Sequence, residues 1–454
     1  MNSEKYISEK INLTTLTPIF IGDDQGSDLS HLTDFVTDGN SINIIDQNKF
    51  ENLLGKDPEL INEFVSQIIN NSRNFNLEEF IKNKLNSDKS DLTKYSVEVE
   101  GDLGNNTIKK FISSLGKPFI PGSTIKGAIR TAIFYNYLIN SHAGKIIISS
   151  LFKKAADKYP KLNEIDKSRF ERKLFTQEIS KIYNELYLFK ANRGHDFRHI
   201  QISDSPLLEN SDTKIADIVV EYLIKASNKT NSWKQVLKEQ LTTTFQFKIE
   251  KDFEDDFLKP INSLTHQGIF KIINTFSKDV IEFELERFDE FIRNGKADKK
   301  QIEEKLVGIR EFYKDLLEKI EKSEDRFAVM RIGGGKTYFD NSIGLALFKA
   351  DKEKFKQFRK LLGLWKHRNR QFVEEDSPIT RSVIFNKSFN KNKPLGWVAI
   401  YPDESKTLID NLFNVVIKVQ QKNPSEKDQN DDSDDLNLSK LSNLGKVTFE
   451  KKNK

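Results

Sequence analysis

The sequence contains no cysteine. That excludes disulfides, thiolate zinc sites and a cysteine nucleophile, and it suits a reducing, cytoplasmic setting. No apolar run approaches the length of a membrane span, and the opening residues MNSEKYISEKINL carry no apolar core of signal-peptide length. A strong excess of one charge is also missing. Seventy-two Lys and Arg face 68 Asp and Glu, a net +4 with a pI near 8.7. Any basic footprint for a polyanion must therefore be local.

What is present is enough for real cores: 37% hydrophobic residues with 34 Phe, under a surface that is 31% charged overall. Lysine abundance is discounted, because Lys, Asn, Ile and Phe rise together in this chain. At 454 residues the chain suggests two or three modules. No fixed-period repeat is visible. Period-two alternation predicts strands at 10–21, 41–46 and 95–100, with further strands near 199–203, 215–224 and 242–250. Helical spacing predicts helices over 49–85 (broken near Pro58 and Asn74), 121–141, 162–189, most of 263–323, and 352–362. A last strand centres on 396–400. Strands and helices mix irregularly, which argues α+β. From residue 422 the composition turns acidic and then Lys-rich, the pattern of a disordered tail, with a short docking segment at Val447-Thr448-Phe449.

Two stretches invite phosphate chemistry. In RFAVMRIGGGKTYFDNSIG, residues 326–344, a strand runs into three glycines and Lys336-Thr337. A nucleotide-binding P-loop needs its first glycine at 330, where Met330 stands, and a helix opening at the Lys-Thr pair, where Asp340, Asn341 and Ser342 favour a turn. In KPFIPGSTIKGAIR, residues 117–130, a short strand enters Pro-Gly-Ser and a helix capped by Ser123 or Thr124. Ile125, Ala128, Ile129 and Ala132 form the buried stripe. Lys126 and Arg130 share a face off that stripe, where like charges at i,i+4 cost an isolated helix a few tenths of a kcal/mol, on the order of 0.2–0.5. A phosphate partner reverses that sign, and Gly127 lets another backbone approach. An ordinary solvated basic face accounts for the same pattern equally well.

IPGSTIKGAIR resembles the helix-entry signature of the RAMP superfamily, the repeat-associated proteins of CRISPR effector complexes. Leu16-Thr-Pro-Ile-Phe-Ile-Gly22 is similar to that family's first strand and turn, Asp34-Phe-Val with Ile42 to Asp46 to its next strand, and Arg198 to Asp204 to its central strand. Thr242 to Ile249 is similar to its T-x-F-x-x-x-I strand, RIGGG to its glycine-rich loop, and Pro394 to Trp397 to its closing strand. The resemblance covers about residues 10–400. Within the superfamily, length, N-terminal block and glycine loop look most like the fifth subunit of type III-A Csm complexes. It implies two ferredoxin-like (RRM-like) modules with helical insertions, at 1–235 and 236–421, ahead of a disordered tail at 422–454. It implies a non-catalytic subunit that binds crRNA, caps the backbone near the crRNA 3′ portion, and touches a neighbouring RAMP backbone subunit and the small helical subunit. No membrane, metal or cofactor is expected. The RNA-binding residues expected are Gly122, Ser123, Thr124, Lys126, Gly127, Arg130 and Arg198, with Arg331, Gly333, Gly334, Gly335 and Lys336 of the loop, contacting phosphates rather than reading bases. Tyr338 or Phe339 offers a stacking surface or a core side chain.

Catalytic readings remain open beside this. His31, in the loop after the first strand, is a candidate acid or base for a metal-independent endoribonuclease on the same fold. His195 and His199 sit four apart with Asp196 between, yet they lead into a strand, where four residues separate them by about 13 Å. Asp23, Asp24 and Asp28 could hold Mg²⁺ or serve as solvent-facing turn caps. Trp365 to Arg370, a basic patch with an aromatic edge, suits a phosphate chain, an acidic partner or a solvated helix end.

Overall fold

Segments of alternating or wholly apolar character pair into two main sheets. The computed structural model describes residues 6–23, 28–71, 74–164, 177, 196–223, 229–250, 266–294, 299–362, 367–368, 371–372, 378–386 and 391–414. The first sheet joins β11 (Ala328–Arg331), β16 (Trp397–Pro402), β1 (Tyr6–Thr15), β10 (Thr242–Glu250) and β7 (Ile200–Ile202) in that spatial order, all neighbours antiparallel. The second holds β15 (Lys391–Pro394), β14 (Thr380–Asn386), β8 (Thr213–Tyr222), β4 (Thr93–Glu100), β3 (Ser41–Ile45) and β2 (Phe35–Asp38), with β9 (Lys229–Leu237) also on β8. Short hairpins β5 (Ser113–Ser114) with β6 (Lys117–Pro118), and β12 (His367–Arg368) with β13 (Gln371–Phe372), stand apart.

The helices, in chain order, are α1 (Gln47–Leu54), α2 (Pro58–Asn71), α3 (Leu77–Asn83), α4 (Lys89–Leu92), α5 (Gly122–Asn140), α6 (His142–Glu164), α7 (His266–Asn294), α8 (Lys299–Glu321), α9 (Gly344–Ala350), α10 (Lys352–Leu362) and α11 (Lys406–Phe413). The first four form an insertion between β3 and β4. Asp46, Asn76 and Asp88 cap α1, α3 and α4, and Phe50, Phe64, Phe75 and Phe80 pack ring to ring in a core of their own.

Strand β16 is buried at every position because helices cover both faces of the first sheet at that side. Val398 and Ile400 join one core with α5 and the first half of α7, while Trp397, Ala399 and Tyr401 join another with α8, α11 and the second half of α7. Strand β10, two places along, keeps its alternation: Thr243, Phe245, Phe247 and Ile249 point inward and the intervening residues do not. Strand β11 is an edge, and an edge leaves backbone groups unpaired. Helix α7 seals it. The Asn274 amide donates to the Phe327 carbonyl (2.8 Å) and accepts from the Val329 N–H (2.9 Å), and the Ser277 hydroxyl donates to the Val329 carbonyl (2.6 Å). That fixes where the chain leaves β11, and so where the glycine loop sits.

Strand and helix are mixed as expected. The 121–141 helix is α5, 242–250 is β10, and 352–362 is α10. The helix expected over 162–189 lies outside the described residues beyond 164, apart from residue 177, and the tail at 422–454 lies wholly outside them. Each sheet draws on distant parts of the chain: the first takes β1 and β7 from before residue 235 and β10, β11 and β16 from after it.

Candidate functional site

The IPGST turn places the start of α5 against the end of β7. A side chain on Gly122 would overlap the carbonyls of Ile202 and Ser203. The cap is not the one the sequence suggests. Pro121 is the N-cap and makes no side-chain bond; the Gly122 N–H instead donates to the Asp204 carboxylate at 2.7 Å. Ser123 is exposed and Thr124 half-buried, and the anion position at this helix end is already served by Asp204. Lys126 and Arg130 lie half-buried one turn apart, with the Arg130 guanidinium 5.5 Å from the Phe197 ring centre. Gly127 is exposed between them, and a Cβ there would meet nothing. A helix-interior glycine costs roughly 0.5–1 kcal/mol relative to Ala, and no packing among the described residues requires it.

The glycine loop is held from behind. Gly333 has φ +69° and would overlap the Phe20 carbonyl if it carried a Cβ. The Gly334 N–H donates to that carbonyl (2.7 Å), the Ile332 N–H to Gly396 (2.7 Å), and the Gly396 N–H to Pro18 (2.9 Å). Arg331 departs from its expected role. Its side chain is buried, donating to the Leu395 carbonyl (2.8 Å), the Asp340 carboxylate (2.7 Å) and the Gly335 carbonyl (2.9 Å). It staples the loop closed and is not offered to a ligand, because the side chain is buried and each of its three guanidinium nitrogens donates inside the protein. Phe339 is likewise core, and the half-buried Tyr338 hydroxyl accepts from Arg359 (3.1 Å). The P-loop reading fails on geometry: the helix after the glycines starts only at Gly344, and the Gly334 amide is spent on Phe20.

Lys336 is what the loop presents. It is half-buried with no hydrogen-bonding partner among the described residues, and burial pulls its pKa below the ordinary lysine value, Asp340 partly opposing and Arg331 reinforcing. Beside the loop lies a group that strand reading missed. The Phe20 ring rests on Gly334 and Gly22, and the Lys234 ammonium of β9 sits 4.6 Å from its centre. Lys234 is also lowered by burial and by its bridge neighbour Lys109, which is exposed. Lys126 shows the same direction, through burial and then Arg130. Among the described residues, the lysines held below their ordinary value are these three.

All three lie at one end of the first sheet. β1, β7 and β11 run in the same direction by their pairing, the glycine loop leaves the C-terminal end of β11, and α5 begins at the C-terminal end of β7. The two are on opposite edges, four strand spacings or about 19 Å apart, with Phe20 and Lys234 gathered at the glycine-loop edge. Arg198 belongs to the turn Asp196–His199 before β7, at that strand's other end, and its side chain is outside the described residues.

The remaining candidates are dispersed. His199 Nδ1 is 2.5 Å from Glu250. His195, Asp24, and Trp365, Lys366, Asn369 and Arg370 of the basic patch lie outside the described residues. Among the described residues no group of three metal-ligating side chains gathers, and no helix is long and apolar enough to cross a membrane.

Similarity to known proteins runs through this same architecture. A protein named CRISPR system Cms protein Csm5, from Methanocaldococcus jannaschii, is 26% identical over 425 residues, 87% of this chain and 89% of its own length. Another of that name, from Streptococcus thermophilus, is 31% identical over 140 residues, 28% of this chain and 38% of its own. Among solved structures, the fold matches a chain of a type III-A Csm–crRNA–target RNA ternary complex with a TM-score of 0.60 (21% identity, 87% of this chain, 100% of that one). It matches T. onnurineus Csm5 at 0.53 (18% identity, 85% and 99%). The RAMP superfamily profile matches residues 12–339, taking in the end of β1, the α5 entry and the glycine loop, and the chain belongs to that superfamily.

Proposed function

We propose that this protein is a crRNA-binding backbone subunit of a type III-A Csm interference complex. It acts by binding rather than catalysis, in the cytoplasm, in antiviral defence. The observation that carries the reading is the row of half-buried lysines, Lys126, Lys234 and Lys336, at one end of the first sheet. Each is desolvated, and Lys126 and Lys234 are further strained by a like charge. Such a site holds repulsion that a phosphate chain relieves. A relative named Csm5, matched over 89% of its own length, supports the particular complex. The subunit caps the crRNA-bearing backbone near the crRNA 3′ portion and contributes to 3′-end maturation. Its partners are the neighbouring RAMP subunit and the small helical subunit. The order β16-β1-β10-β7, with α5 and α7 in the connections, supports a ferredoxin-like module on the first sheet. A second module on the other sheet is proposed as interleaved with it in sequence.

The test is co-purification of crRNA with the reconstituted complex, and binding of single-stranded RNA by the full-length protein across a salt series. Lys234→Ala with Lys336→Ala should lower affinity about tenfold or more and flatten the salt slope by about 1.4, the share of two single-strand phosphate contacts. Lys126→Ala with Arg130→Ala should lower crRNA retention with the fold intact. Unchanged affinity and slope in both double variants would remove the site.

A further inference from the structure

A separate cavity of about 280 Å³ opens beside β2. Its floor is apolar and rigid: Phe35, Val36, Phe75 and Leu77 are all buried. Its walls are polar and nearly uncharged. His31, Thr37, Asn74, Asn76 and Asn105 contribute, and the one carboxylate, Glu78, is ion-paired with Lys89 at 2.9 Å. His31 Nδ1 is buried without a hydrogen-bonding partner, and burial alone holds the imidazole below its ordinary value, so it is neutral at neutral pH. No described residue pairs with this ring nitrogen, and buried polar atoms are normally paired. Asn105 is exposed and has no partner among the described residues.

The chemistry narrows the ligand. Among the described residues no Lys or Arg lines the cavity, so they offer a phosphate no cation inside it. A neutral imidazole and carboxamides offer both donors and acceptors in an aromatic-floored slot. The volume falls just below that of sites for drug-sized molecules, roughly 300–1,000 Å³, which suits one heterocycle and not a peptide. The place fits as well. The loop carrying His31 is pinned to the 104–111 segment by paired bonds between Leu29 and Ile108 (2.8 and 2.9 Å). Asn105 and Lys109 are four residues apart on that segment, at most about 14 Å. A strand lying on Lys109 and Lys234 therefore passes within one or two nucleotides of the cavity mouth.

We infer that this cavity takes a single unpaired nucleobase, splayed from the bound RNA, packed on the aromatic floor and hydrogen-bonded by His31 and Asn105. Unstacked bases are the form in which single-stranded RNA is usually read. The strand that delivers the base rests on the function proposed above; the cavity's preference for a neutral heterocycle does not.

The experiment has two arms, both on the full-length protein. In the first, a 4-thiouridine-substituted 20-nucleotide RNA is photocrosslinked and adducts are mapped by mass spectrometry. In the second, binding of adenosine, guanosine, cytidine and uridine is followed by saturation-transfer NMR. Adducts are expected on residues 28–37 or 104–105, together with binding of at least one nucleoside. Both should fall at least fivefold in His31→Ala with Asn105→Ala, and in Thr37→Trp, which fills the cavity from an exposed strand position. RNA bound with full salt dependence, but with no adduct there and no nucleoside binding, overturns the cavity and leaves the proposed function standing. Nucleoside binding lost in Thr37→Trp, with no RNA retained by the wild type, supports the cavity and overturns the function. Adducts and nucleoside binding unchanged in both variants also overturn it.

Discussion

The two signature stretches, the entry to α5 and the glycine loop, look alike in sequence: glycines beside basic residues, after a short strand. In the folded chain they divide their labour differently. At α5 the glycine nearest the turn, Gly122, is required by the carbonyls of β7, and the helix end is neutralised by Asp204. The exposed Gly127 has no such requirement. In the loop, Gly333 is needed to pack against Phe20, and the arginine that looked like a phosphate ligand is the internal staple. A motif therefore mixes residues that build a surface with residues that present it, and burial tells them apart.

That division can be broken experimentally, from the largest effect down. Arg331→Met leaves Asp340 buried and alone, and breaking a buried pair costs on the order of 3–5 kcal/mol. Urea unfolding should show that loss, and adding Asp340→Leu should recover most of it. A stable Arg331→Met protein that has lost RNA would instead mean that Arg331 contacts the ligand. Gly333→Ala places a Cβ against the Phe20 carbonyl at positive φ, and thermal unfolding should register a loss of about 1–3 kcal/mol. Asp204→Ala removes a cap worth about 1 kcal/mol, yet RNA affinity should hold or rise, because a negative charge leaves the helix end. The smallest effect is the most discriminating. Gly127→Ala should stabilise the helix by roughly 0.5–1 kcal/mol while weakening RNA binding; a gain in stability with unchanged affinity would mean that no backbone approaches there.

The lysine row gives a pH test with a definite sign. The folded, RNA-free protein holds Lys126, Lys234 and Lys336 below the ordinary value of 10.5. Bound phosphate raises them again, so binding takes up protons and affinity falls as pH rises through the lowered range. As pH rises toward the ordinary lysine value the Kd should climb, and a Lys234→Arg, Lys336→Arg variant should climb less, because arginine does not titrate there and only Lys126 of the three remains. Equal slopes in the two proteins would place the titration elsewhere.

Much of the architecture was legible because its signals are local. The i, i+3, i+4 stripe of α5 and the alternation of β10 appear where periodicity placed them. Strand β9 was missed: its TNSWKQVL has no clean alternation, and it forms because β8 offers it a full-length partner. Lys234 was missed with it, although the Lys109-Lys110 pair was a visible hint. The Ser123 or Thr124 cap was misplaced because the actual acceptor, Asp204, is 82 residues away in sequence.

By itself the sequence determined the kinds of element, the positions of the two glycine motifs, the absence of thiol chemistry and the superfamily those motifs point to. These follow from side-chain spacing and local backbone preference, which act over a few residues. Only the tertiary structure decided that Arg331 is internal, that Asp204 serves α5, and that Phe20 stands against the glycine loop with Lys234 on its ring. Burial and charge proximity depend on which distant strands become neighbours, and pairing across hundreds of residues leaves no local trace.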